Sequence, residues 1–437
     1  GAYRIFWSFL ILFVKLSCVI LSYQITKISS LSDSTKILFF TIFSFLLISM
    51  SHYNIPLNYS YFSFRDLGFI LFIVFSLELF IFSKVKFLSL IILTLISSIS
   101  ILFHIDIGIY VGVGLLFLIF YSLVVKKYKD VLLILIFLFI WWSLIIYFIG
   151  QEEFLAFFDH AKTIILSVDY QMGGIYPEPF FSIGENPHGA RATRGLLLQI
   201  TAGIFVLYNV LNKNSSFSNE QKLFLIFMFF LSFLMYKNAL NRSDSYHIRM
   251  SSDLPILINA FFILRYILTK VGKFFSTNKN IYFVLIFMTL LILTNQFNLK
   301  MSNIKNLKKN YNEFINLNDS NFLDSETKNL VDFYADIAKD EKCVQNFTDD
   351  LAIPFLLKKP TCTKYFASWL ASPKKIQIDY VRKLEVIEPK YILYRSDKYI
   401  VDSIEVTERL KIVNSFILDN YKLFKSFDGY EIFIKSN

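Results

Sequence analysis

Apolar residues fill the first two thirds of this chain in blocks about as long as a lipid hydrocarbon core is thick, with short polar connections between them. The blocks fall at 5–26, 37–50, 68–83, 87–103, 108–125, 131–149, 196–211, 222–236, 253–269 and 281–295. Val131 to Ile149 carries no charged residue at all. A soluble element would instead return to polar positions at helical or strand spacing. Several blocks are shorter than the roughly 20 residues of an untilted span, so their ends must reach into flanking polar sequence. The pattern predicts a polytopic α-helical bundle of about ten spans over 1–295.

From Gln296 the pattern changes. Lys300 to Lys309 is basic and Asn-rich, as in a linker or stalk, and Asn321 to Asp340 has helical character. Ala352 to Leu357, Tyr391 to Tyr394 and Tyr430 to Ile434 read as short strands, with a helix over Ile376 to Leu384 between them. This alternation predicts a small α/β domain over 296–437, long enough to have its own core.

The connections set the sidedness. Lys27 and Lys36, Lys84 and Lys86, the Lys126, Lys127 and Lys129 cluster, Lys213 and Lys222, and Lys270, Lys273 and Lys279 fall on alternate connections. All five sit in the cytosol together if basic residues stay inside. The connections 51–67, 104–107, 150–195 and 237–252 then face outward, as does the tail. The same alternation puts Gly1 outside, and the missing initiator methionine suggests that an upstream piece is absent.

Composition fits this picture. Hydrophobic residues make up 55% of the chain and charged ones 18%, a membrane-like balance. The formal charge of +10 is spent on helix ends and is no nucleic-acid signal. Three cysteines exclude a disulfide scaffold. Cys18 lies in a block, while an oxidising outward compartment permits a bond between Cys343 and Cys362. Lys15, inside the first block, either snorkels or faces a cavity.

The outward connections hold the chemistry. His104 and Asp106 interrupt two blocks almost without a loop, either as a tight turn with Asp106 at a helix N-terminus or as a site pair. Arg242, Asp244, His247 and Arg249 fall within eight residues, a dense cluster that is either an interfacial salt-bridge network or, the preferred reading, a site for an anionic head group, since guanidinium groups grip phosphate with two parallel bonds. The long connection after Gly150 opens with an amphipathic stretch bearing Asp159 and His160. It passes through Tyr176, Pro177 and Glu178 and closes with His188, Arg191 and Arg194, either interfacial anchors or phosphate ligands. Asn346-Phe347-Thr348 fits a weak glycosylation sequon. Walker loops, dinucleotide fingerprints, His-Glu-x-x-His and Gly-x-Ser-x-Gly are absent from the sequence.

The layout resembles the C-class integral-membrane glycosyltransferases (GT-C), which take sugars from polyprenyl-phosphate donors. The resemblance rests on the many spans, short cytoplasmic turns and outward terminal domain. It rests also on Asn241 to His247, on Lys359-Pro360-Thr361-Cys362-Thr363-Lys364-Tyr365, and on Ser372-Pro373, Gln377 to Leu384 and Pro389 to Tyr394, which look like the tails of bacterial members. It implies transfer from a polyprenyl-phosphate-linked sugar to a glycan, lipid or protein acceptor, at the outer face of a bacterial inner membrane with the tail in the periplasm. Arg242, Arg249, Arg191 and Arg194 would hold phosphate, with His104, Tyr176 and Glu178 lining the cavity, and Asp106, Asp244 and His247 would serve catalysis. A divalent cation, magnesium or manganese, is the one cofactor to consider. The family's acidic first outward loop would precede or include Gly1, so the principal base is expected outside this sequence. An O-antigen ligase or polymerase would place its large outward part between spans instead. A transporter or flippase would show inverted repeats and broken spans.

Overall fold

The apolar blocks form helices because nothing inside them competes with the intrachain hydrogen-bond ladder. The structure, a computed structural model, describes residues 2–50, 62–82, 85–166, 187–240, 248, 251–277, 306–317, 323–348, 352–366, 368–395, 400–401, 404–427 and 429–436. The block expected at 281–295 lies outside these residues. Two compact units emerge, one from Gly1–Phe154 with Tyr176–Ile315 and the other from Leu155–Ile175 with Asn316–Asn437. This division differs from a single boundary at 296, because most of the helix after Gly150 belongs with the tail.

The first unit contains α1 (Ala2–Ile28), α2 (Asp33–Met50), α3 (Phe62–Leu77, continued by a π-helical turn over Glu78–Phe82), α4 (Lys86–Phe103), α5 (Ile105–Val124) and α6 (Tyr128–Ile149). After α7 (Gln151–Leu166), which belongs to the second unit from Leu155 onward, come α8 (Pro187–Leu211), α9 (Asn219–Leu240) and α10 (Asp253–Thr277). Arg65 and Asp66, at the end of the connection expected over 51–67, are the fourth and fifth residues of α3. Helix α1 packs on α2 and α3, α4 on α3, α5 and α6, and α8, α9 and α10 on one another, with α10 against α2 and α9 against α5. Phe39, Phe43, Phe72 and Phe227 are fully buried in the shared core.

Among the described residues, five helices are long and apolar enough to cross a membrane: Phe9–Ile28, Lys86–Phe103, Ile105–Val124, Tyr128–Ile149 and Gly189–Leu211. Thr35–Ile48 and Leu67–Phe82 are shorter apolar stretches. That is fewer spans than the ten expected. Helices α9 and α10, of 22 and 25 residues, also have spanning length and carry apolar runs between Lys222 and Lys237 and between Asp253 and Arg265. Helix α6 is decisive for the class of protein, since only 6% of it is buried and Phe139, Tyr147 and Phe148 stand well exposed. An apolar surface of that extent has no stable place in water. The helical unit is that of a membrane protein.

Several hydroxyls in this unit are satisfied within their own helix, as a lipid environment favours. The hydroxyls of Ser22, Thr26, Thr94 and Ser97 donate to carbonyls four residues back at 2.7–2.9 Å. Between helices, Trp141 Nε1 donates to Thr94 Oγ1 at 3.2 Å, Gln199 and Ser232 exchange hydrogen bonds, and Asn259 Nδ2 donates to the Leu198 carbonyl at 3.0 Å. Cys18 is buried in α1, and Lys15 is half-buried.

The basic connections gather at one end of this unit. Lys86 Nζ lies 2.6 Å from the buried Asp130, which joins the turn before α4 to the turn before α6. Lys27 stands over the ring of Phe82, joining the end of α1 to the end of the π-helical turn. Arg265, five residues before Lys270, donates from Nε to the Ser29 carbonyl at 2.7 Å and from Nη2 to Ser216 Oγ. Lys222 donates to the carbonyls of Val210 and Asn212, covering the orphan carbonyls at the end of α8. At the far end of α4, about 27 Å away at 1.5 Å per residue, the chain turns through His104 into α5. There Gly108 packs so tightly that a Cβ would sit 2.2 Å from Ile101 Cα.

The second unit is a small α/β domain. Strands β1 (Gln345–Phe347), β2 (Tyr391–Tyr394), β5 (Tyr421–Phe427) and β6 (Tyr430–Lys435) form a sheet in the order β1-β2-β6-β5, parallel at β1/β2 and antiparallel elsewhere. A separate ribbon pairs β3 (Ile400–Val401) with β4 (Ile404–Glu405). The helices are α11 (Leu307–Asn316, straddling the boundary), α12 (Ser325–Ile337), α13 (Ala352–Leu356), α14 (Lys374–Ile387), α15 (Val406–Arg409) and α16 (Lys411–Asn420). The run at 352–357, expected as a strand, is helix α13. Pro354 within it has no amide hydrogen for a strand ladder, whereas the first turn of a helix needs none there. Strand β1 went unpredicted because Gln345 and Asn346 are polar, yet both are buried and hydrogen-bonded. Burial also removes Asn346 as a glycosylation acceptor in the folded domain.

Candidate functional site

Gly150, at φ +94°, breaks the chain between α6 and α7 in a conformation that only glycine adopts without strain. Helix α7 then starts with Glu152 and Glu153 in its first turn, where carboxylates complement the helix dipole. Ala156, Asp159, His160 and Thr163 follow at i, i+3, i+4 and i+7, so they share one face. Opposite them stands α14. It begins directly after Pro373 and ends where Glu388 takes a left-handed conformation, with its amide bonded to the Leu384 carbonyl and Pro389 next. Ile376, Gln377, Tyr380 and Leu384 form its buried face. Lys375, Ile378, Asp379 and Arg382 fall at helical spacing on the other side.

The floor comes from the segment around Lys364 and Tyr365. The disulfide between Cys343 and Cys362 (Cα–Cα 4.9 Å) and a backbone bond from Cys362 N to the Val344 carbonyl hold this segment beside β1. Gln345 Oε1 then accepts from the Thr363 amide, and Thr363 Oγ1 from the Tyr365 amide. The Tyr365 ring packs against Tyr380 at 4.6 Å and against His160 at 6.0 Å. Together these surfaces enclose a cavity of about 570 Å³, lined chiefly by Asp159, His160, Lys364, Lys375, Asp379 and Arg382, with Lys374 at its edge.

Four cations thus face two carboxylates, and the groups are coupled. Lys375 Nζ lies 3.3 Å from Asp159, and Lys364 Nζ 3.8 Å from Asp379. The Tyr365 hydroxyl donates a short hydrogen bond to Asp379. Burial disfavours the Asp379 carboxylate, but that bond and the ammonium groups of Lys364 and Lys383 outweigh it and hold its pKa below the usual value. The Tyr365 hydroxyl is pushed up, first by burial and then by its bond to Asp379. Burial, followed by the Lys364 charge, pushes His160 below the ordinary imidazole value, so it is neutral at pH 7. Its Nε2 is sealed from solvent, with no hydrogen-bond partner among the described residues.

The expected site residues are distributed differently. Asp106 lies half-buried in the first turn of α5, with His104 at the N-cap, whose side chain makes no capping bond. Arg191 and Arg194 lie near the start of α8, the first half-buried and the second exposed with Nε bonded to the Ala190 carbonyl. Above them Tyr236 donates to the Ala192 carbonyl at 2.8 Å. Arg242, Asp244, His247, Arg249, Tyr176 and Glu178 lie outside the described residues. Among the described residues, no three His, Cys, Asp or Glu side chains gather as a metal-binding group.

Lys374, Lys375 and Arg382 escaped notice in the sequence. The available signal was their spacing along an amphipathic helix, together with the position of Asp159 and His160 in another. What no spacing could supply was the pairing of the two helices across more than two hundred residues. No protein-family model matches this chain, and no curated protein sequence matches it.

Proposed function

We propose that this membrane protein transfers a sugar from a polyprenyl-phosphate donor to an acceptor on the outer face of a bacterial inner membrane. The observation that carries the reading is the gathering of four basic connections at one end of the helical unit, with Arg265 of α10 bonded among them. With that end in the cytosol, the elaborated connections and the disulfide-bearing tail lie across the bilayer in an oxidising compartment. This is the arrangement that a GT-C-like transferase requires.

The chemistry is as follows. A carboxylate takes the proton of the acceptor hydroxyl, the oxygen attacks the anomeric carbon, and the sugar–phosphate bond breaks with its electrons going to the polyprenyl phosphate. Arg242 and Arg249, helped by Arg191 and Arg194, stabilise the charge growing on the leaving phosphate. Asp106, Asp244 and His247 orient the acceptor and share the proton, and His104, Tyr176 and Glu178 complete the cavity.

The test is transfer from a radiolabelled polyprenyl-phosphate sugar in membranes carrying the full chain. Arg242→Ala should lower transfer about 10²–10³-fold, the usual cost of removing one charge-stabilising group, with membrane content unchanged. Normal turnover by that variant would end the phosphate assignment.

A further inference from the structure

The cleft between α7 and α14 is assigned no part in the transfer chemistry above, yet it has the contents of a binding site. Its 570 Å³ falls within the range of small-molecule sites. Lys364, Lys374, Lys375 and Arg382 outnumber Asp159 and Asp379 two to one. Their pairing leaves two cations in surplus, because Asp159 engages Lys375 and Asp379 engages Lys364. Among the described residues, Lys374 and Arg382 have no ion-pair partner, and both are exposed. Lys374 also stands at the N-terminus of α14, where the helix dipole adds to the positive field.

This mixture selects a kind of ligand. A metal or organic cation is repelled by the surplus charge, and a bare inorganic anion meets two carboxylates as well as four cations. An uncharged sugar gains nothing from Lys374 and Arg382. A molecule that carries one or two anionic groups and several hydroxyls uses everything present. Its oxyanion takes charge-assisted bonds from the two spare cations, and its hydroxyls donate to Asp159 and Asp379. We propose that the C-terminal unit binds an acidic saccharide in this cleft, with a carboxylate or phosphate on the sugar as the anchor. The site is made wholly of residues in the second unit.

Calorimetry on the detergent-solubilised full chain tests it with four probes: digalacturonate, glucose 1-phosphate, maltose and inorganic phosphate. At least one acidic sugar should bind ten times more tightly than both maltose and inorganic phosphate. Digalacturonate alone would assign a carboxylate anchor, and glucose 1-phosphate alone a phosphate. The double variant Lys374→Gln with Arg382→Gln should weaken that binding at least tenfold with circular dichroism unchanged. Should that variant misfold, raising the salt on the native protein must weaken the acidic sugar and spare maltose. Equal binding of maltose, equal binding of inorganic phosphate, or no heat from any probe would overturn the proposal.

Discussion

His160 shows how one side chain ties the stability of the C-terminal unit to pH. Its pKa is lowered in the fold, first by burial and then by Lys364, against the pull of Asp159 and Asp379. Below about pH 6.5 the unfolded chain therefore binds the extra proton first, and the fold loses stability as the pH falls through that window. Thermal unfolding of the C-terminal unit in the full protein should move to lower temperature between pH 7 and pH 5. His160→Asn should flatten that slope, and an unchanged slope would show that this imidazole does not titrate as described. Asp379 works in a lower window. Its depressed pKa contributes stability above the ordinary carboxylate value near 3.8 and loses it as the acid range is entered. The sequence offered both residues, but the environment that shifts them is tertiary. His160 sits 205 positions before the Tyr365 ring that it packs against, and no local pattern encodes that contact.

At the scale of elements, two connections decide how much distortion the fold tolerates. Gly108 lets α4 and α5 meet backbone to side chain after the His104 turn, with 2.2 Å between a would-be Cβ and Ile101 Cα. Gly108→Ala must push these helices apart, and overpacking costs about 1–3 kcal/mol or more. A drop in detergent melting temperature would register it, and a wild-type melt would show that the turn is loose. In the other unit, Cys343 and Cys362 close a loop across a separation of 19 residues. Chain entropy alone puts that closure at about 3 kcal/mol. Cys362→Ser should lower the C-terminal melting temperature and, by releasing Lys364 and Tyr365, weaken ligand binding in the cleft. Element positions were largely legible: the apolar blocks within the described residues and the segments Ile376–Leu384, Tyr391–Tyr394 and Tyr430–Ile434 read correctly as helices or strands. Failures came where the local signal was ambiguous. A short apolar run with a proline became α13, and a polar triplet became β1 because its side chains found partners in the core.

For the whole molecule, the account depends on which way the helical unit stands. The alternation of lysines was legible in the sequence, and the structure adds physical links between connections that lie far apart in the chain. Arg265 bonds to Ser29 and Ser216, and Lys86 to Asp130. What the sequence left hidden was the ownership of α7, which most patterning arguments would keep with the spans that flank it. The candidate site was legible only in pieces, with Asp159, His160 and the Lys364–Tyr365 segment visible as separate features and Lys374, Lys375 and Arg382 unnoticed. The most direct measurement is labelling of single cysteines, introduced at Lys127 and near the C-terminus at Ser436, with a membrane-impermeant maleimide in intact spheroplasts. The account predicts labelling at 436 and protection at 127 until the membrane is opened. Equal labelling of both positions before lysis would contradict it.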